Sequence, residues 1–177
     1  MNGHNTAYIP GFLSRQLNKY LPFRRIHVDM QRTDPGERWG DVVADSDATA
    51  TEYRDRGWTT VAAHPGDVNP VSEEARVDVL LPGSEFDEAL AVVGDAAIDA
   101  IHVYAAADEG VEYRLVVAED EEASVVVCVP TYFGVSELNA LREAAAEAGA
   151  LTVRLRPLDD RDLVEIDIDD PTVFFDA

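Results

Sequence analysis

His64-Pro65-Gly66-Asp67 is the stretch of this 177-residue sequence whose residue types come nearest to chemistry. An imidazole and a carboxylate three positions apart, just past a predicted strand of Trp58 to Ala63, could share a reacting proton or contact a metal. Pro-Gly-Asp is also ordinary turn chemistry, and neither a second His nor a Cys stands nearby at a metal-ligand spacing. No metal and no cofactor is therefore expected. Arg154 and Arg156 fall on one face of a predicted strand, and Arg114 projects from another. Three guanidinium groups on a sheet face would suit a carboxylate or phosphate ligand, or would simply neutralise neighbouring acids. His64, Asp67, Arg114, Arg154 and Arg156 form the candidate ligand-binding set, and no residue is assigned a catalytic role. His102, between Ile101 and Val103, reads as a satisfied sheet histidine. Cys128, inside Val125-Val126-Val127-Cys128-Val129, reads as a small buried hydrophobe.

The signatures of common chemistries are missing. The sequence holds no glycine-rich phosphate loop, no Gly-x-Ser-x-Gly elbow, no Cys-x-x-Cys pair and no His-Glu-x-x-His helix. The acidic runs Glu119-Asp120-Glu121-Glu122 and Asp159-Asp160 read as a hairpin tip and a solvated loop, and neither has the spacing of a calcium loop.

What surrounds these residues is overwhelmingly acidic. Thirty-five Asp and Glu stand against 14 Lys and Arg, of which Lys19 is the single lysine, for a formal net charge of −21. Such self-repulsion opposes compaction, yet 46% of the residues are hydrophobic, too many for a solvated tail. Charge interactions shrink to a range of about 3 Å at about 1 M salt, so the composition reads as adaptation to a saline interior with KCl-dependent stability. Nucleic acid is excluded as a ligand by the shortage of clustered Lys and Arg. No stretch approaches the ~20 apolar residues of a membrane span, which points to a cytoplasmic protein without stable membrane insertion. The charge is unevenly placed: residues 1–33 carry five basic groups against Asp29, or +4, leaving −25 on the rest. A basic, loosely ordered extension over 1–33 and one acidic domain over 34–177 follow, with Leu13, Leu17, Tyr20 and Leu21 forming a short amphipathic helix in the extension.

The elements that must position the candidates are legible in periodicity. Asp34-Pro35-Gly36-Glu37 opens a helix whose apolar face runs from Trp39 to Tyr53 and which Gly57 closes. Strands follow at Trp58 to Ala63 and Val77 to Leu81. A helix capped by Ser84 buries Phe86, Ala89, Leu90 and Val93. Three strands come next, Ile98 to Ala105, Val111 to Ala118 and Ser124 to Val129. The second alternates as if one face were wet, and the third, apolar throughout, should be central. A helix from Ser136, strands Leu151 to Arg156 and Leu163 to Ile168, and a docking tail of Pro171 to Phe175 complete the chain. The fold class is α+β, a mostly antiparallel sheet of five to seven strands with about three helices, in the order α-β-β-α-β-β-β-α-β-β. Its first eight elements run in the order of roadblock and longin-type dimerisation modules, a likeness of topology alone.

From about Arg38 to Phe175, the segments Ala48-Thr49-Ala50-Thr51-Glu52-Tyr53-Arg54, Gly57-Trp58, His64-Pro65-Gly66-Asp67-Val68, Val77 to Pro82, Arg156-Pro157-Leu158 and Pro171 to Phe175 together resemble an uncharacterised family of acidic cytoplasmic proteins from haloarchaea. The resemblance implies salt adaptation and carries over no catalytic residue. The leading expectation is a non-enzymatic binding or regulatory module that acts through a protein partner or as a homodimer. The alternative is a small-molecule sensor or enzyme with a pocket near His64, Asp67, Arg114 and Arg154. A closed pocket joining those side chains would favour the second, and an exposed apolar helix pair or sheet edge the first.

Overall fold

The computed structural model describes residues 33–159 and 161–177. The basic segment, with its expected helix, lies outside the described residues. The chain forms α1 (Trp39–Asp55), β1 (Thr59–Ala62), β2 (Asp67–Val71), β3 (Arg76–Leu80), α2 (Gly83–Val93), β4 (Ala100–Asp108), β5 (Val111–Asp120), β6 (Val125–Gly134), α3 (Val135–Ala148), β7 (Leu151–Arg156), β8 (Val164–Ile168) and α4 (Thr172–Phe175), with a 3₁₀ turn at Ser72–Glu74. This is the expected α+β class, but the described residues hold eight strands rather than five to seven, divided into two four-stranded sheets, β1-β6-β5-β4 and β2-β3-β7-β8. Each sheet contains one parallel pair, β1 with β6 and β3 with β7. Both pairs join strands far apart in sequence, so alternation within a strand carries no trace of them. The strand β2, which Pro70 and the surrounding polar residues disguise as a loop, also breaks the element order shared with the dimerisation modules.

The first sheet is covered on both faces. Alternate residues of β5 meet opposite layers: Tyr113 Oη donates to the Pro35 carbonyl below α1, while Arg114 Nε donates to the Phe174 carbonyl of α4. Burial is unbroken from Tyr113 to Asp120. The wet face expected of this strand does not exist, because helices occupy both sides. β6 is central, as its apolar run requires, and continues through Pro130 to Gly134. Proline is tolerated there because β1 reaches only as far as Cys128, so no β1 residue pairs with Pro130. The second sheet has one dry and one wet face: β7 alternates Leu151, Val153 and Leu155 inward with Thr152, Arg154 and Arg156 outward.

The core joins these layers. Val127, Leu141 and Val153 are fully buried, and Trp39, Tyr53 and Leu90 pack against them half-buried. The tail docks as expected, with Phe174 and Phe175 buried and Phe174 edge-on to Phe133. Helix starts differ from expectation. Asp34 does not cap α1; its carboxylate accepts the Gly36 amide at 2.7 Å in a local turn, and the helix begins at Trp39. Ser136 does not cap α3 either. Glu137 reaches back to accept the Gly134 amide at 2.8 Å and the Thr33 hydroxyl at 2.7 Å. No helix among the described residues is long and apolar enough to cross a membrane.

Candidate functional site

His64 follows the end of β1, whose two neighbouring helices both reach it. Its Nε2 lies 2.9 Å from Asp47 of α1 and its Nδ1 2.8 Å from Glu85 of α2, and its backbone amide donates to Glu85 at 2.9 Å. Both ring nitrogens can donate only in the imidazolium form. Partial burial opposes that charge, but hydrogen bonds and charge from Asp47 and Glu85 outweigh it and raise the pKa. The arrangement fastens two helices and leaves neither nitrogen open to a metal or substrate. Among the described residues no cluster of three or more His, Cys, Asp or Glu is placed to hold a metal ion.

A raised histidine pKa fixes the sign of its linkage. The stabilisation is fully present below the unfolded-state pKa of about 6.5 and is lost as pH rises through the higher folded-state value. His64 is 44% exposed, so screening limits the contribution to about 1 kcal/mol or less. His64→Gln should therefore lower Tm by roughly 2–4 °C near pH 6 and by progressively less above pH 7. Thermal melts of both proteins from pH 5.5 to 9 test this. A difference that grows with pH would contradict the clamp.

The other sequence-selected residues are dispersed. Asp67 opens β2 and borders a small pocket with Thr33, Val68, Asn69, Tyr132 and Glu137. Arg154 and Arg156 do share the wet face of the second sheet, where Arg154 makes a double contact to Glu165 Oε1 at 2.7 and 2.9 Å. Arg114 belongs to the other sheet and is only 4% exposed. It donates to the carbonyls of Phe174 (3.0 Å) and Tyr113 (2.9 Å) and pairs with Glu112 at 3.2 Å. Its burial disfavours charge and lowers its pKa, an effect that Glu112 opposes. These contacts tether the C-terminal helix.

Periodicity missed two features, and both centre on the β4–β5 pair. Glu119 and Asp120, expected at a solvated hairpin tip, are buried at the end of β5. Asp120 accepts the amides of Ala97 and Ala123, each at 2.9 Å, tying down the approach to β4 and the turn before β6. Glu119 accepts the Tyr53 hydroxyl and lies 3.6 Å from His102 Nε2. Burial pushes the Glu119 pKa up, but His102 and Tyr53 outweigh it and hold the carboxyl below its ordinary range. His102 is raised chiefly by Glu119, against the effect of burial. Burial, with Glu119 nearby, pushes Tyr104 up to about 12, and burial also pushes the Cys128 thiol up to about 12. Neither is activated as a nucleophile, since each is held further in its protonated form. The cluster holds the last turn of α1 to the sheet, reinforced by Tyr53 edge-on to Trp58 and by Arg56 stacked 4.2 Å over Tyr53.

The second feature is β4 itself. It is the last strand of its sheet, nine residues long, and no described strand pairs with its outer edge. From Ala100 to Ala107 it carries no Asp, Glu, Lys, Arg or Pro. Among the described residues the other three edges are blunted: β1 is four residues long, β2 contains Pro70, and β8 alternates in Glu165 and Asp167. At about 3.4 Å per residue, β4 presents an edge about 30 Å long. Length, neutrality and missing proline were all readable in the sequence; that this strand is the terminal one was not.

The chain belongs to a family of unknown function, DUF7529, whose model matches residues 25–176. The match includes residues 25–33, which the charge asymmetry had grouped with the extension. No curated protein and no solved structure matches the chain.

Proposed function

We propose that this member of DUF7529 is a non-enzymatic binding module of a salt-adapted cytoplasm that works by self-association, two copies pairing through β4. The supporting observation is the contrast among the four sheet edges of the described residues, of which only β4 is long and free of Asp, Glu, Lys, Arg and Pro from its first residue to Ala107. A second copy presents the same long, proline-free backbone edge, so the contact is self-complementary in its hydrogen-bonding groups. Closed two-fold pairing is antiparallel, so the end of β4 at Asp108, where Arg38 stands 3.2 Å from that carboxylate, meets the end at Asp99 of the other copy. Arg38 then faces acids across the junction. Backbone hydrogen bonds supply the affinity, and the half-buried Ile101, Val103 and Ala106 supply apolar contact.

Alternate N–H groups of a strand point to opposite edges. Of Ala105→Pro and Ala106→Pro, one therefore removes an outward donor while preserving the β5 ladder, and the other breaks the ladder. The variant that keeps the wild-type unfolding midpoint should sediment as a monomer in about 2 M KCl, where the wild type sediments as a dimer, because charge repulsion is screened there. Ala107→Lys, at an exposed position, supplies a second block on the same edge. A monomeric wild type, or a folded proline variant that still dimerises, would overturn the proposal.

A further inference from the structure

Granting that reading, we propose that ionic strength gates the pairing, through the acids that bracket β4, with Arg38 setting the threshold. The span free of Asp, Glu, Lys and Arg, whose His102 is paired with Glu119, ends abruptly on both sides. Asp95 and Asp99 precede it, and the amide of Glu121 donates to Asp99 at 3.2 Å, bringing that acid to the same end. Asp108 and Glu109 follow it, Glu109 exposed in the tight turn to β5 with a positive φ of 49°, and Glu112 sits opposite Ala107 on β5. Antiparallel pairing of two copies brings the first group of each against the second group of the other, at both ends of the junction.

The separations involved decide how salt acts. Paired strands lie about 4.8 Å apart, so facing end groups fall roughly 5–10 Å from one another. Their repulsion is within the screening length of about 10 Å at 0.1 M salt and beyond the length of about 3 Å at 1 M. The strand's backbone hydrogen bonds and apolar contacts change far less over that range. Assembly is therefore weak in dilute buffer and favoured in concentrated KCl. Arg38, 21% exposed beside Asp108, is the cation that offsets part of this repulsion. It lowers the salt concentration at which pairing begins.

The test measures dimer dissociation by sedimentation equilibrium of the full chain between about 0.1 and 2 M KCl. Wild-type association should strengthen at least about tenfold across the range. Asp99→Asn with Glu109→Gln removes two bracketing charges per copy, should associate already at the low end, and should show a flattened salt dependence. Arg38→Gln should shift the transition to higher KCl. If wild type and the neutralised variant dimerise equally at every salt concentration, the gate is overturned while β4 pairing stands. If neither dimerises at any concentration, the pairing itself fails and the gate with it. Unfolding midpoints measured alongside separate both outcomes from loss of fold.

Discussion

Val127→Asp should abolish cooperative folding. Val127 is fully buried in β6, paired on one side with Val61 of β1 and on the other with Ala118 of β5, both as deeply buried. A carboxylate at that fully buried position is cut off from water. Leaving a charge uncompensated in such a place costs about 3–5 kcal/mol or more, against a total stability of about 5–15 kcal/mol. The residue also sits where the parallel β1–β6 ladder and the antiparallel β5–β6 ladder meet, so no edge exists for the strand to slip toward. Val127→Thr, of the same shape with one hydroxyl, should cost about 1–3 kcal/mol and retain the cooperative transition. Denaturation in high KCl, followed by tryptophan fluorescence, distinguishes the two. A Val127→Asp protein with a midpoint near that of the wild type would show that β6 is peripheral.

Arg114→Ala should be the next most damaging change, at about 3–5 kcal/mol. The guanidinium is buried between β5 and α4, and its removal strips hydrogen bonds from the carbonyls of Phe174 and Tyr113 while leaving Glu112 without its 3.2 Å partner. Nothing else among the described contacts of α4 replaces the Phe174 bond; Arg142 holds the neighbouring Phe175 carbonyl at 3.0 Å. Arg114→Lys keeps a charge but not the planar fork, so it should recover only part of the loss. Alongside the lowered midpoint, the C-terminal helix should become accessible to limited proteolysis first. A loss below about 1 kcal/mol would show that α4 docks through its two phenylalanines alone.

Arg114 also shows where the sequence stops being informative. Its strand, its neighbours and its charge were legible, and a surface role for it was a fair inference, because nothing local records that a four-residue helix 60 positions later closes over it. The same limit applies to His64. The turn after β1 was recognisable from Pro65 and Gly66, but the carboxylates that claim both ring nitrogens come from positions 47 and 85, on two helices brought together by tertiary packing. Elements with their own strong period were placed well, as with α3 ending at Gly149 (φ 75°) and β7 with its clean alternation. Strands whose identity depends on neighbours were not. β2 hid behind a proline that its edge position tolerates, and β5 looked half-wet although Arg114, Glu119 and Asp120 are buried. The same reasoning explains why β4 was seen as a strand and not as an edge.

The claim that two copies pair through β4 is tested most directly by amide hydrogen exchange of the wild-type protein in about 2 M KCl, where repulsion is screened, at low and high protein concentration. Alternate amides between Ala100 and Asp108, those whose N–H groups point away from β5, should exchange freely when the protein is dilute and become protected as concentration rises. The amides of β1, β2 and β8 should not respond. Protection that appears on another edge, or β4 amides whose exchange ignores concentration over the full range, would contradict the account.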